Sequence, residues 1–382
     1  MQHYVHRNAW VRHAIAFATV GLLVALLLRN IAANLDHRGL ALTFEFLGRP
    51  ASFDIPFKLI EFSSRDSYAL AALVALLNTM LVSILAIVSA TVLGFTFGVF
   101  LLSPNPLLRR TALATVELIK NTPQLLQVLF WYVVILQSLP TPRESYQPVR
   151  GVILNVRGLF LPTIQLSTPE GRAWLAWMAI TIVAVLMVYI VRTALSLRNR
   201  TRTQVLSVVL VLLAACITSW LTSGASLSLT YPELRGFNFR GGVQVVPELI
   251  ALWFGLAIYA ASFIADLVRG AVLAVPKGQE EAASALGLTH LQALRLVKMP
   301  QAMQIIIPPL VSQFLNITKS STLGIAIAYP EIMTVLGGTT LNQTGHAIET
   351  MLMIAGLFIL LNLAVSALMN RYNRGIAIGG AG

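Results

Sequence analysis

Apolar residues run along this chain in long stretches that polar residues interrupt only briefly. Eight stretches approach the length of a membrane-crossing helix, about 20 mostly apolar residues. They lie near 14–28, 73–102, 125–139, 174–191, 205–220, 249–268, 305–327 and 351–369. The second is long enough to tilt or to continue past a bilayer. The seventh carries Pro308, Pro309 and Lys319, which predicts a kinked or broken helix. The pattern predicts an all-α polytopic membrane protein of about eight transmembrane helices. An extra helix and a loop occupy 1–68, the main helical domain spans 69–372, and 373–382 is expected to be a disordered tail.

Composition agrees. Hydrophobic residues make up 57% of the 382 residues and charged residues only 11%, against about 25% charged in soluble domains. Mean hydropathy is +0.76. A large soluble enzyme needs far more polar surface. The net charge of +12 sits in short loops between apolar runs, so it points to membrane orientation and not to nucleic acid. With the N-terminus inside, the inner segments hold most of the 27 lysines and arginines, at nearly twice the outer density. Both termini are therefore expected in the cytoplasm. Arg7 and Arg12 before the first apolar run imitate a signal peptide, but an uncleaved first helix is favoured because the remaining runs insert anyway.

Candidate chemistry is sparse. The single cysteine, Cys216, lies in an apolar run and excludes a disulfide framework. His3, His6, His13, His37, His290 and His346 have no metal-ligand spacing. Aromatic residues near the span ends, such as Trp131, Tyr132, Trp174, Trp177, Trp220 and Trp253, fit interface anchors. No Gly-x4-Gly-Lys-Ser/Thr loop occurs, so the chain is not expected to bind ATP through a P-loop.

One polar segment stands between apolar runs on the inner side: EEAASALGLTHLQALRLVKMP, 280–300. Ala, Glu and Leu favour helix over 280–286. Gly287 stops it, because a residue just past a helix end wants positive φ. Thr289 and Gln292 make a capping-box pattern that starts a second helix, and Pro300 limits that one. The product is helix, glycine turn, helix. Ala282, Ala283 and Ala285 give the first helix little bulk for a close-fitting groove on another protein, and Glu281 offers a charge to a basic partner.

This segment resembles the EAA loop of ABC importer permeases, whose pattern is E-A-A-x3-G-x9-I-x-L-P. Glu281, Ala282, Ala283, Gly287 and Pro300 match; Val297 and Met299 stand for Ile and Leu. The flanks SFIADLVRGAVLAVPK (262–277), ELIKNTPQLLQVLFWY (117–132) and PQAMQIIIPPLVSQFLNITKSSTLGIAIAYPE (300–331) are similar to the polar-amino-acid branch, with Asp266 where that branch usually has Glu. The layout resembles the long permease subunits of general L-amino-acid and glutamate/glutamine/aspartate/asparagine importers, with 140–247 as an insertion bearing two extra helices.

That resemblance implies a type I ABC importer transmembrane fold in the bacterial inner membrane, with 276–303 as the cytoplasmic coupling loop. The implied partners are an ABC ATPase dimer that binds the ATP and Mg, a second permease chain or a second copy, and a periplasmic amino-acid-binding protein. No cofactor and no nucleic acid are implied for the chain itself. The resemblance implies a transporter subunit and not an enzyme. An ion-gradient-driven secondary transporter is the alternative, and an integral-membrane enzyme a third reading. The first usually shows acidic residues within spans and repeated halves, and the second a catalytic cluster; neither signal is evident.

Lys319 is the one basic residue inside an expected span, and such residues usually face a cavity or a partner. With Asn316, Ser320 and Glu117 it makes a candidate substrate pathway. A substrate carboxylate, Glu117 or Glu331 can pair with it. Thr318, Ser321 and Thr322 add polar groups, although small polar residues also serve helix packing.

Overall fold

Where the apolar runs meet capping residues, the backbone closes into helices. The computed structural model describes residues 19, 21–23, 26, 29, 30, 42–166, 227–236 and 238–379. The expected spans at 174–191 and 205–220, the retained N-terminus, Cys216 and most of 14–28 lie outside the described residues. The chain divides into two compact units, 1–128 with 252–382, and 129–251.

In the first unit Ser67 caps helix α1, Tyr68–Leu101, by accepting from the Leu70 N–H. Asn105 caps α2, Pro106–Lys120, by accepting from Leu107 and Leu108, with Pro106 in the first turn where its missing N–H costs nothing. Helix α3, Gln124–Ser138, leads into the second unit, and α4, Pro247–Ala274, leads back out of it. Next come α5, Lys277–Ala285, the short α6, His290–Ala293, and α7, Met299–Ser320. The short α8, Leu341–Thr344, and the long α9, Ala347–Gly379, complete the unit.

Gly94 and Gly98 of α1 let α4 approach closely. A Cβ at either position would stand 2.5 Å from the Cβ of Ile264 or 2.6 Å from that of Val268. In lipid, apolar burial gives little force between helices, so such backbone approach does the packing. A second core joins Phe46, Ile55 and Phe62 of the 42–67 loop to Tyr68 and Val74 of α1 and to Ile332, Val335 and Leu336. Each of its large side chains contributes roughly 1.5–3 kcal/mol where the alternative is water.

Three helices among the described residues are long and apolar enough to cross a membrane: α1, α4 and the Ala347–Asn370 part of α9. The apolar α3 is shorter. α7 is interrupted by Gln301, Gln304, Pro308, Pro309 and Gln313, yet it stays one α-helix through both prolines instead of breaking. It then tightens into a 3-10 stretch, Ser321–Ile327. α9 runs to Gly379, so residues 373–379 are helical where a disordered tail was expected; no proline interrupts that stretch.

The second unit corrects the all-α expectation. It holds a four-stranded antiparallel sheet in the order β1-β2-β3-β8, with β1 at Tyr146–Val149, β2 at Val152–Asn155, β3 at Gly158–Leu161 and β8 at Val243–Val245. Two further antiparallel pairs form: β4, Thr163–Leu166, with the distant β5, Leu227–Thr230, and β6, Glu233–Arg235, with β7, Asn238–Arg240, as a hairpin. The stretches between the apolar runs are short, rich in Val, Leu and Phe, and punctuated by Gly151, Gly158, Gly236, Gly241 and Gly242, all at positive φ. A window sized for spanning helices passes over such strands.

Candidate functional site

The segment after α4 is closed by its own backbone. Gly287 sits at φ 75°, its N–H donates to the Ser284 carbonyl at 2.9 Å, and the Leu288 N–H donates to Ala283 at 3.1 Å. Those two bonds are a Schellman motif, which satisfies the last carbonyls of α5 and turns the chain. Across the turn, the Thr289 N–H and hydroxyl donate to Gln292 Oε1 at 2.9 and 3.0 Å, and the Gln292 N–H donates back to Thr289 Oγ1 at 3.4 Å.

Pro300 does not end the second helix. α6 passes through a π-turn, Leu294–Lys298, straight into α7, and Pro300 lies in the first turn of α7. The Met299 N–H donates to Leu294 across this turn, and the wider turn absorbs the break in the ladder that proline imposes. Two side-chain contacts clamp the start of α5 to the start of α7: Lys298 to Glu280, and Gln301 Nε2 donating to Gln279 Oε1 at 3.0 Å. Glu281, Ala282 and Pro300 are exposed, whereas Ala283 is buried. Leu286, Leu291 and Leu296 are exposed at 82%, 72% and 63%. The arrangement is a braced helical lever with apolar side chains turned outward.

The candidate pathway residues separate. Asn316 and Ser320 line a cavity of about 330 Å³ with Gln124, Tyr259, Phe263 and Gln313. Lys319 is exposed and is not among its lining residues. The hydroxyls of Thr318, Ser321 and Thr322 donate back to the carbonyls of Phe314, Thr318 and Lys319, so they satisfy the helix itself. The sequence reading missed Gln313, although 313, 316, 317 and 320 follow the spacing of one helix face. Gln124, Tyr259 and Phe263 carried no comparable signal, because other helices bring them there.

Glu117 stands elsewhere. Lys120 donates to Glu117 at 3.0 Å and to Asp266 of α4 at 2.7 Å. The Asp266 carboxylate, with Glu117 beside it, holds the Lys120 ammonium above its ordinary pKa, and Lys120 in turn lowers that of Glu117. Glu331 is fully buried and caps the turn after it, accepting from the N–H groups of Met333 at 2.8 Å and Thr334 at 2.7 Å and from the Thr334 hydroxyl. Burial pushes its carboxyl up to about 7. Both acids that the sequence offers to Lys319 thus have other partners.

Helices α1, α4 and the Ala347–Asn370 part of α9 have the length and apolarity of membrane spans, which makes the chain a membrane-type protein. Residues 205–378 match the family model described as "Binding-protein-dependent transport system inner membrane component". The chain is 43% identical over 380 residues to an amino-acid ABC transporter permease protein of Escherichia coli, YhdX, covering 97% of this chain and 94% of that one. It is 39% identical to the general L-amino acid transport system permease protein AapQ of Rhizobium johnstonii, covering 91% and 87%. It is 36% identical to the glutamate/glutamine/aspartate/asparagine transport system permease protein BztB of Rhodobacter capsulatus, covering 92% and 89%. The chain belongs to the permease subunits of amino-acid ABC transporters. These relatives give no support to an ion-gradient transporter.

Proposed function

We propose that this chain is a long permease subunit of an importer that moves L-amino acids, polar, acidic or general, into the cytoplasm. The relatives' substrates, general L-amino acids and the acidic amino acids with their amides, support that class. A separate ATPase dimer binds ATP and Mg and docks on 276–303, where Glu281, Ala282, Ala283, Gly287 and Pro300 form the lever. The chain itself catalyses no hydrolysis. Eight spans, a second permease chain or a second copy, a periplasmic amino-acid-binding protein, and a bacterial inner-membrane location with both termini cytoplasmic complete the reading.

The observation that carries it is the lever. α5 is stopped by a turn that needs no tertiary partner, its limbs are clamped by Lys298–Glu280 and Gln301–Gln279, and its outer leucines are exposed. A push on α5 therefore reaches α7 directly. α7 carries Asn316 and Ser320 to the cavity, which is where a substrate passes between inward and outward access, a two-state shift biased by ATP.

The test is ATP-driven uptake by the assembled complex carrying Gly287→Val. A β-branched residue at φ 75° is strained, so the turn opens. Uptake is lost while the ATPase remains active in isolation. Normal uptake in this variant overturns the coupling role.

A further inference from the structure

The four-stranded sheet of the second unit has two unlike faces. Ile153 and Phe160 are cross-strand partners, and Phe239 of β7 covers them with its ring 5.1 Å from that of Phe160. Cross-strand partners share a face. The register Tyr146↔Leu154, Val149↔Val152, Leu154↔Leu159 and Leu159↔Val245 therefore places one set of apolar side chains on the opposite face. Val243, two residues from Val245, joins that set. None of these is fully buried, and Tyr146, Val149 and Val243 are exposed at 62%, 66% and 47%.

Charge frames this face. Arg150 stands at the β1–β2 turn with its guanidinium 5.7 Å over the Tyr231 ring, and Arg157 is exposed at the β2–β3 turn, the other end of the strands. Across 140–166 and 227–247 the sequence has Arg143, Arg150, Arg157, Arg235 and Arg240 against Glu144 and Glu233, and no lysine. On the proposed orientation these residues lie outside the membrane, where the positive-inside rule disfavours them. Arginine also forms bidentate pairs with carboxylates that lysine does not.

Building on the importer reading, we propose that this apolar, arginine-rimmed sheet face docks the carboxylate-bearing surface of the soluble substrate-binding protein of the same transport system. The family description itself makes transport depend on a binding protein. Exposed tyrosine and arginine side chains with few carboxylates match the residues enriched at interface centres. A second copy of this chain would bring like-charged rims together. Burial in the lipid core would strand the backbone groups of edge strands β1 and β8, which hydrocarbon does not tolerate.

The experiment uses the whole complex in nanodiscs and titrates its binding protein, loaded with amino acid, while ATPase activity is followed. Arg150→Glu, and separately Val149→Asp, raise the half-stimulating concentration by about tenfold or more, the scale of one lost interfacial pair. Basal ATPase activity stays unchanged. On the wild-type complex, added binding protein slows hydrogen exchange across Tyr146–Leu161. Unaltered half-stimulation in both variants, or no protection, overturns the proposal. Loss of permease assembly in the variants overturns it too, and assigns the face to a permease contact. Protection of Tyr146–Leu161 in nanodiscs that is already complete without binding protein overturns it as well, and assigns the face to lipid. If the wild-type complex is not stimulated at all, the importer reading itself has failed, a result distinct from stimulation that the variants leave intact.

Discussion

The segments before and after α7 both interrupt apolar helices, and they are held in opposite ways. Before α7, the turn at Gly287 and the Thr289–Gln292 box use bonds between residues at most five apart, and the surface is exposed. After α7, the chain over 329–332 is buried and tied to distant residues. Asn78 Nδ2 donates to the Phe57 and Pro330 carbonyls, both at 2.9 Å, the Tyr329 hydroxyl donates to the Asn78 carbonyl at 3.0 Å, and the Ile332 N–H donates to Thr79 Oγ1 at 3.1 Å. A locally closed segment keeps its shape while it moves against another protein. A segment fixed by long-range bonds resists movement unless α1 moves with it.

Asn78→Ala tests this difference with the largest expected effect on stability. It strands two buried carbonyls, at roughly 1–3 kcal/mol each. Thermal unfolding of the purified chain in detergent is expected to shift down by several degrees. An unchanged unfolding temperature would mean that the 329–332 segment is not held through α1.

Glu331 sharpens the same contrast through pH. Its carboxyl is raised from 4.5 to about 7 by burial, so between those values the folded state binds the proton more tightly than the unfolded state. The contribution of this group to stability is greatest below pH 4.5 and declines as pH rises through about 7. Unfolding temperature followed across that window is expected to fall in the wild type. The part of the slope due to this residue disappears in Glu331→Gln, and identical slopes in the two proteins would refute the assignment.

Thr289→Ala has the smallest expected effect. It removes one exposed cap of the lever, worth about 0.5–1 kcal/mol. Hydrogen exchange of 290–293 is expected to quicken, with the unfolding temperature nearly unchanged. A loss as large as that of Asn78→Ala would mean that the lever, too, depends on tertiary contacts.

The lever was largely legible because each of its parts is a short-range signal: helix formers, one glycine and a capping box. Pro300 was misjudged because the π-turn before it depends on how α6 meets α7. The cavity was half legible. Asn316 and Ser320 were placed among the pathway residues, while Lys319, one position away, faces elsewhere, and Glu117 is drawn to Lys120 and Asp266. A charge within an apolar run marks a candidate but not the direction in which it points. The strands escaped notice because their alternation is shorter than the run that identifies a spanning helix.

By itself the sequence determined the helical membrane character, the approximate places of most long helices among the described residues and the turn at Gly287, since these depend on composition and on bonds between near neighbours. Only the tertiary structure decided which polar groups meet. Gln124, Tyr259 and Gln313 share a cavity, Asn78 holds Pro330, and a sheet is formed by strands as far apart as β3 and β8. Those pairings join residues distant in the chain, and no local preference specifies them.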